Sequence, residues 1–147
     1  MSPQIAKKLL RLSPRDWTEL FQAQWALLSA QATVRSRPVG ELATPTVGNK
    51  QADPVHLPDA RRLALALVRA ARYGVIRPHC LVRSVALSRL LDSHGIEGAL
   101  VRVGVRRNGN EFLAHAWVEY AGETLGDADE HVGTFVPLTN LDVRRQA

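Results

Sequence analysis

The chain reads as an α+β fold, with helices first and an antiparallel sheet after them. Three observations predict this. Apolar residues recur at three- and four-residue steps from Trp17 to about Ser93, which is the period of helices. From Gly98 the period drops to two, with Val101, Val103 and Val105 alternating against Leu100, Arg102 and Gly104. Asn108-Gly109, a hairpin signal, then separates this segment from a second one, Phe112 to Tyr120. Strand therefore follows strand in a β-meander, without the intervening helices of a parallel sheet.

Each element has its own signals. Ser13 is placed to N-cap the first helix, Pro14 suits its first turn, and Asp16 complements the helix dipole. Trp17, Leu20, Phe21, Trp25, Leu28 and Ala32 fall on one face over about five turns. That face is expected to meet the core or another subunit. The N-terminal helical part covers residues 1–35. Over residues 36–58, Pro38, Gly40, Pro45, Gly48, Pro54 and Pro58 break any period. A Pro/Gly-rich loop of that length is uncommon in a small domain and points to mobility or function. A second helix is expected from Asp59 to Tyr73, with Leu63, Leu67, Val68 and Ala71 inward and Gly74 at its end. A third runs from Cys80 to about Ser93 on Leu81, Val85, Leu87 or Ser88, and Leu91, closed by Gly95. Glu123 to Asp127 reads as a short third strand. There is no internal repeat, and residues 1–147 are read as a single domain.

Composition narrows the function classes. The net charge of +5 favours an acidic partner, but the arginines are scattered and no zinc-finger, RNP or basic-region pattern accompanies them. Nucleic acid is therefore not the expected partner. No stretch reaches the ~18 consecutive apolar residues of a membrane span, and no secretory signal is recognisable. The single cysteine makes neither an internal disulfide nor a cysteine-based zinc site, so the expected location is the cytoplasm. Neither a cofactor nor a metal is expected, since the five histidines show no metal-ligand spacing. His56, His79, His94 and His131 are read as ordinary surface or helix-end residues.

Chemistry concentrates in three places. Cys80 stands at a predicted helix start, where unpaired N–H groups and the macrodipole favour a thiolate and an oxyanion. The bland alternative is a buried, inert thiol. In "FLAHAWVEY", strand alternation puts Leu113, His115, Trp117 and Glu119 on one face. Phe112, Ala114, Ala116, Val118 and Tyr120 form the cleaner core face. Alone, His115 would read as structural. A carboxylate from "ETLGDADE" can orient His115. A two-residue turn at Ala121-Gly122 would face Asp127 away, whereas a three-residue loop or a bulge brings it within reach, with Asp129 as the spare.

The segments "CLVRSVALSRLLDSHGIEGALVRVGV" and "LAHAWVEYAGETLGD" resemble the lasso peptide B2 proteins, transglutaminase-like cysteine peptidases of lasso peptide biosynthesis. The likeness is detailed from Cys80 to Asp127 and looser over the N-terminal helix and the Pro-rich loop. It implies a transglutaminase/papain-like fold and a leader peptidase with Cys80 as nucleophile, His115 as base and then acid, and Asp127 orienting His115. Trp117 is a candidate substrate contact. The resemblance further implies the stand-alone version of the protein. Its partners would be a precursor peptide, a separate leader-binding B1 protein and a lasso cyclase. Two other classes share these residues or the fold: a thioester-forming acyltransferase and a non-catalytic peptide-binding subunit.

Overall fold

A computed structural model describes residues 11–37, 44–45 and 50–142. Residues 1–10, residues 38–43 and 46–49 of the expected Pro/Gly-rich loop, and residues 143–147 lie outside the described residues. Helix α1 spans Pro14–Ser36. Its start is a capping box: the Ser13 hydroxyl accepts the Asp16 N–H, and the Asp16 carboxylate accepts the Ser13 N–H at 2.8 Å.

The face that α1 buries is opposite to the one its large apolar residues suggest. Glu19, Ala23, Ala26, Leu27 and Ala30 are buried. Trp17, Phe21, Trp25 and Leu28 are exposed, Phe21 by 71% and Trp25 by 74%. Close packing explains the inversion. Helix α2, Leu57–Tyr73, turns its own small residues inward, Ala60, Ala64, Ala70 and Ala71 among them. Two alanine-lined helices approach more closely than a row of indoles permits. The buried Glu19 is held by Arg62 at 2.8 Å and Arg15 at 3.3 Å, so its charge is paired. Two substitutions test the orientation by chemical denaturation. Leu27→Ala should cost about 2–5 kcal/mol as a core truncation. Trp25→Gln should change stability by no more than about 0.5 kcal/mol.

A 3-10 turn, Pro54–His56, is capped by the Asp53 carboxylate and runs straight into α2. The end of α2 needs a glycine for close approach. A Cβ on Gly74 would sit 1.9 Å from Gln24 Oε1 and 2.3 Å from the Ala70 carbonyl. Helix α3, Cys80–Ser93, is buried on most of its sides, with Ser84 and Ser88 enclosed among Val82, Val85, Leu87, Leu90 and Leu91. It closes as expected, with Gly95 at φ +72° and the Ile96 N–H returning to the Leu91 carbonyl.

The sheet is formed by β1 (Thr44–Pro45), β2 (Leu100–Asn108), β3 (Glu111–Tyr120), β4 (Glu123–Leu125) and β5 (Val136–Asp142). A short helix α4, Asp129–Val132, lies between β4 and β5. The strand order is β1-β5-β2-β3-β4, with every neighbouring pair antiparallel. The expected meander is β2-β3-β4, and β5 returns to the free side of β2. Strand β5 escaped the sequence reading because Pro137 argues against a strand interior. It is accommodated where the β2–β5 register shifts, between Val103 and Gly104. The β2–β3 hairpin loop is Gly109-Asn110, one residue later than expected, and Gly109 takes φ +62° at its first position.

Helices α1, α2 and α3 share one core with Val101, Val118, Tyr120 and Leu125 of the sheet. Trp117, Val132 and Phe135, with Leu113 against them, form a second, smaller cluster. Strand β3 supplies both, and His115 sits on it between Leu113 and Trp117 of the smaller cluster. Among the described residues no helix is long and apolar enough to cross a membrane.

Candidate active site

Cys80 opens α3. The residue before it, His79, is extended and makes no side-chain cap, and the first turn carries no acidic residue. The first N–H groups of a helix have no intrahelical partner, so here they stay available to a negative charge. The thiol is free and half-buried. Among the described residues it makes no hydrogen bond, including none to His115.

His115 stands near the middle of β3, opposite Gly104 on β2. Its Nε2 lies 2.6 Å from Asp127 Oδ2, and both side chains are largely enclosed. An ionised carboxylate only accepts, so Nε2–H is the donor and the lone pair of the neutral ring is on Nδ1. Three rings surround the imidazole. Trp117 stacks at 6.2 Å, Phe135 tilts against it at 5.1 Å, and His131 meets it edge-on at 4.8 Å.

Asp127 arrives by a route that alternation does not foresee. The Ala121-Gly122 turn has two residues and pairs Tyr120 with Glu123, the register expected to face Asp127 away. Strand β4 stops at Leu125, and Gly126 at φ +74° swings the chain out of the strand period. Asp127 thereby reaches His115 without a longer loop. Its other oxygen accepts the Ala128 N–H at 2.9 Å, and Arg83 Nη2 lies 3.8 Å from Oδ2. Burial pushes the carboxyl pKa up. The hydrogen bonds from His115 and Ala128, with the positive charge of Arg83, outweigh it and hold the pKa below the usual value. Arg83 lies three residues after Cys80, so the first turn of α3 and Asp127 share one end of the site.

Gly126→Ala tests this hinge. A Cβ there would meet Leu87 and Val68 at an ordinary 3.6 Å, so the cost is the left-handed backbone alone. Stability should fall by about 1–2 kcal/mol. The downfield proton resonance of a His115–Asp127 hydrogen bond should weaken with it. An unchanged resonance and unchanged stability would remove Gly126 from this role.

Asp129 is exposed in the first turn of α4 and makes no hydrogen bond to His115. Trp117, the candidate substrate contact, is largely buried. It is 3% exposed, its Nε1–H donates to Glu119 at 3.1 Å, and its indole covers Gly104. A Cβ on Gly104 would lie 2.8 Å from that ring. Trp117 therefore braces His115 from within the fold. His131 was read as an ordinary residue, and Phe135 was not singled out in the sequence. Their place beside His115 comes from the turn of α4, and neither spacing nor composition signals it.

The family described as the transglutaminase-like superfamily matches residues 23–140. One relative is the microcin J25-processing protein McjB of Escherichia coli, 41% identical over 55 residues. That stretch is 37% of this chain and 25% of McjB, so the match spans about a quarter of the relative's length. No solved structure matches the chain.

Proposed function

The chain belongs to the transglutaminase-like superfamily, and on that premise we propose that it is a cysteine peptidase that removes the leader from a lasso peptide precursor. The observation that carries this reading is the His115–Asp127 hydrogen bond, set at the same end of the molecule as an uncapped helix start bearing the thiol. McjB, named for processing microcin J25, supports the substrate class.

The mechanism follows from the groups available. His115 Nδ1 takes the proton of the Cys80 thiol, and Asp127 stabilises the resulting imidazolium through Nε2–H. The thiolate attacks the carbonyl carbon of the scissile bond, and the first N–H groups of α3 face the oxyanion. The imidazolium protonates the leaving amine, the C–N bond breaks, and the leader is held as a thioester. Water, deprotonated by His115, then releases it and restores the thiol. In the free protein Cys80 makes no hydrogen bond to His115, and binding of substrate is expected to bring the two together.

A separate leader-binding partner and a lasso cyclase complete the proposed setting, in the cytoplasm, where a lone thiol stays reduced. The exposed ridge of Trp17, Phe21 and Trp25 on α1 is the surface this reading assigns to the leader-binding partner. Acyl transfer uses the same thioester and differs only in the second nucleophile.

The test is mass spectrometry of a precursor peptide incubated with this protein and a leader-binding partner. One cut at the leader–core junction, with products summing to the precursor plus water, is the expected result. A leader fragment carrying an added amine in place of water would establish the transferase. An intact precursor, with the partner shown to be bound to it, would overturn both in favour of a peptide-binding subunit.

A further inference from the structure

We propose that His115, Asp127 and His131 form a binding site for a divalent transition-metal ion, Zn²⁺ by the chemistry of its donors, and that the bound ion holds the enzyme inactive. The ligand atoms of these three residues all lie within 4.8 Å of one another. Two imidazoles and a carboxylate, with a further position left open, are a donor set that zinc takes readily. Calcium and magnesium prefer a cage of oxygens, which this cluster does not supply.

The donors are already partly oriented. Asp127 Oδ1 is fixed by the Ala128 N–H at 2.9 Å, the kind of support that steadies a metal-bound carboxylate. Phe135 lies against both imidazoles, 5.1 Å from His115 and 5.4 Å from His131, and gives the cluster an apolar wall. His131 is exposed on the four-residue α4, and its ring already lies edge-on against His115. Bonds of about 2.0–2.2 Å at tetrahedral angles place donor atoms roughly 3.3 Å apart, so the ion needs the 2.6 Å His115–Asp127 pair to open and His131 to draw in. Arg83, 3.8 Å from Asp127, opposes any cation. That repulsion disfavours ions held by charge alone and leaves those that bond strongly to imidazole nitrogen.

Inhibition follows from the tautomer of His115. Its Nε2 now carries the hydrogen donated to Asp127. To bind a metal through Nε2, the neutral ring moves that hydrogen to Nδ1 and frees the Nε2 lone pair. No net proton is lost. Nδ1–H can no longer accept the thiol proton, so Cys80 stays protonated. The inhibitory step rests on the reading of His115 as the base; binding of the ion does not.

The experiment uses the full chain carrying Cys80→Ala, which leaves no thiol to capture zinc. Zn²⁺ is titrated in competition with a chromophoric chelator. One ion per chain is expected. Adding His131→Gln should weaken binding by at least about tenfold, as the loss of a ligand does. His94→Gln, at the end of α3 and remote in role, should leave it unchanged. Thermal unfolding without metal verifies that His131→Gln remains folded, as its exposed position leads one to expect. Binding that survives His131→Gln undiminished, or that falls equally with His94→Gln, overturns the site. Because no thiol and no peptide are involved, either result is independent of whether the chain is a peptidase.

Discussion

Cys80→Ala should leave the protein folded and lower the cleavage of a precursor peptide by about 10⁴-fold or more, the scale on which a covalent nucleophile is lost. The effect is this large because nothing nearby can substitute for the thiol. Cys80 is the sole cysteine, and among the described residues no serine or threonine is hydrogen-bonded to His115. Without sulfur the reaction falls back on water activated by imidazole, with the α3 N–H groups alone left to face the oxyanion. Stability should change little, since the side chain is half-buried and makes no hydrogen bond. Circular dichroism and denaturation separate the two effects. Equal cleavage by the variant would remove Cys80 as nucleophile. Cys80→Ser is a sharper probe, because it keeps the shape and replaces the thiol with a poorly ionising hydroxyl.

The fold was legible wherever a residue acts through its own period. The change of period at Gly98 marks the passage from helices to sheet, and Gly95 and Ser13 cap their helices as their chemistry requires. What the sequence hides is depth. Trp17, Phe21 and Trp25 form the strongest apolar stripe in α1, yet its alanines are buried, because the spacing between helices is set by both partners. In the candidate site, the place of Cys80 at a helix start and of His115 on a strand was legible, while their roles came from the family resemblance and not from spacing. Asp127 was chosen for a conditional reason that did not hold. The turn has two residues, and the left-handed Gly126 does what a longer loop was expected to do. A positive φ is a tertiary choice, and Gly-Asp alone does not announce it. His131 was passed over for the same reason, since its contact with His115 is made by chain reversal after Gly126 and not by any spacing.

Asp127→Ala should reduce kcat/KM by about 10²–10⁴-fold, mostly in kcat, while leaving substrate binding nearly intact. Two functions are lost together. His115 loses the acceptor that fixes Nε2–H and so keeps the Nδ1 lone pair free for the thiol. The imidazolium formed in the reaction also loses the negative charge beside it, with Arg83 left unopposed nearby. A purely structural carboxylate would lower stability without this bias toward kcat. The pH dependence of stability gives a second readout. Burial raises the Asp127 pKa, but its hydrogen bonds and Arg83 more than offset this, so the folded value is depressed. A depressed carboxyl contributes stability that is fully present above its unfolded pKa, about 3.9, and is lost as pH falls through the folded value. The stability gap between the native protein and Asp127→Ala should therefore be constant at pH 6–7 as far as this carboxyl is concerned, and narrow below about pH 4. A gap that persists unchanged to pH 2 would show that Asp127 is protonated, or unpaired, in the folded protein, and His115 would then need another partner.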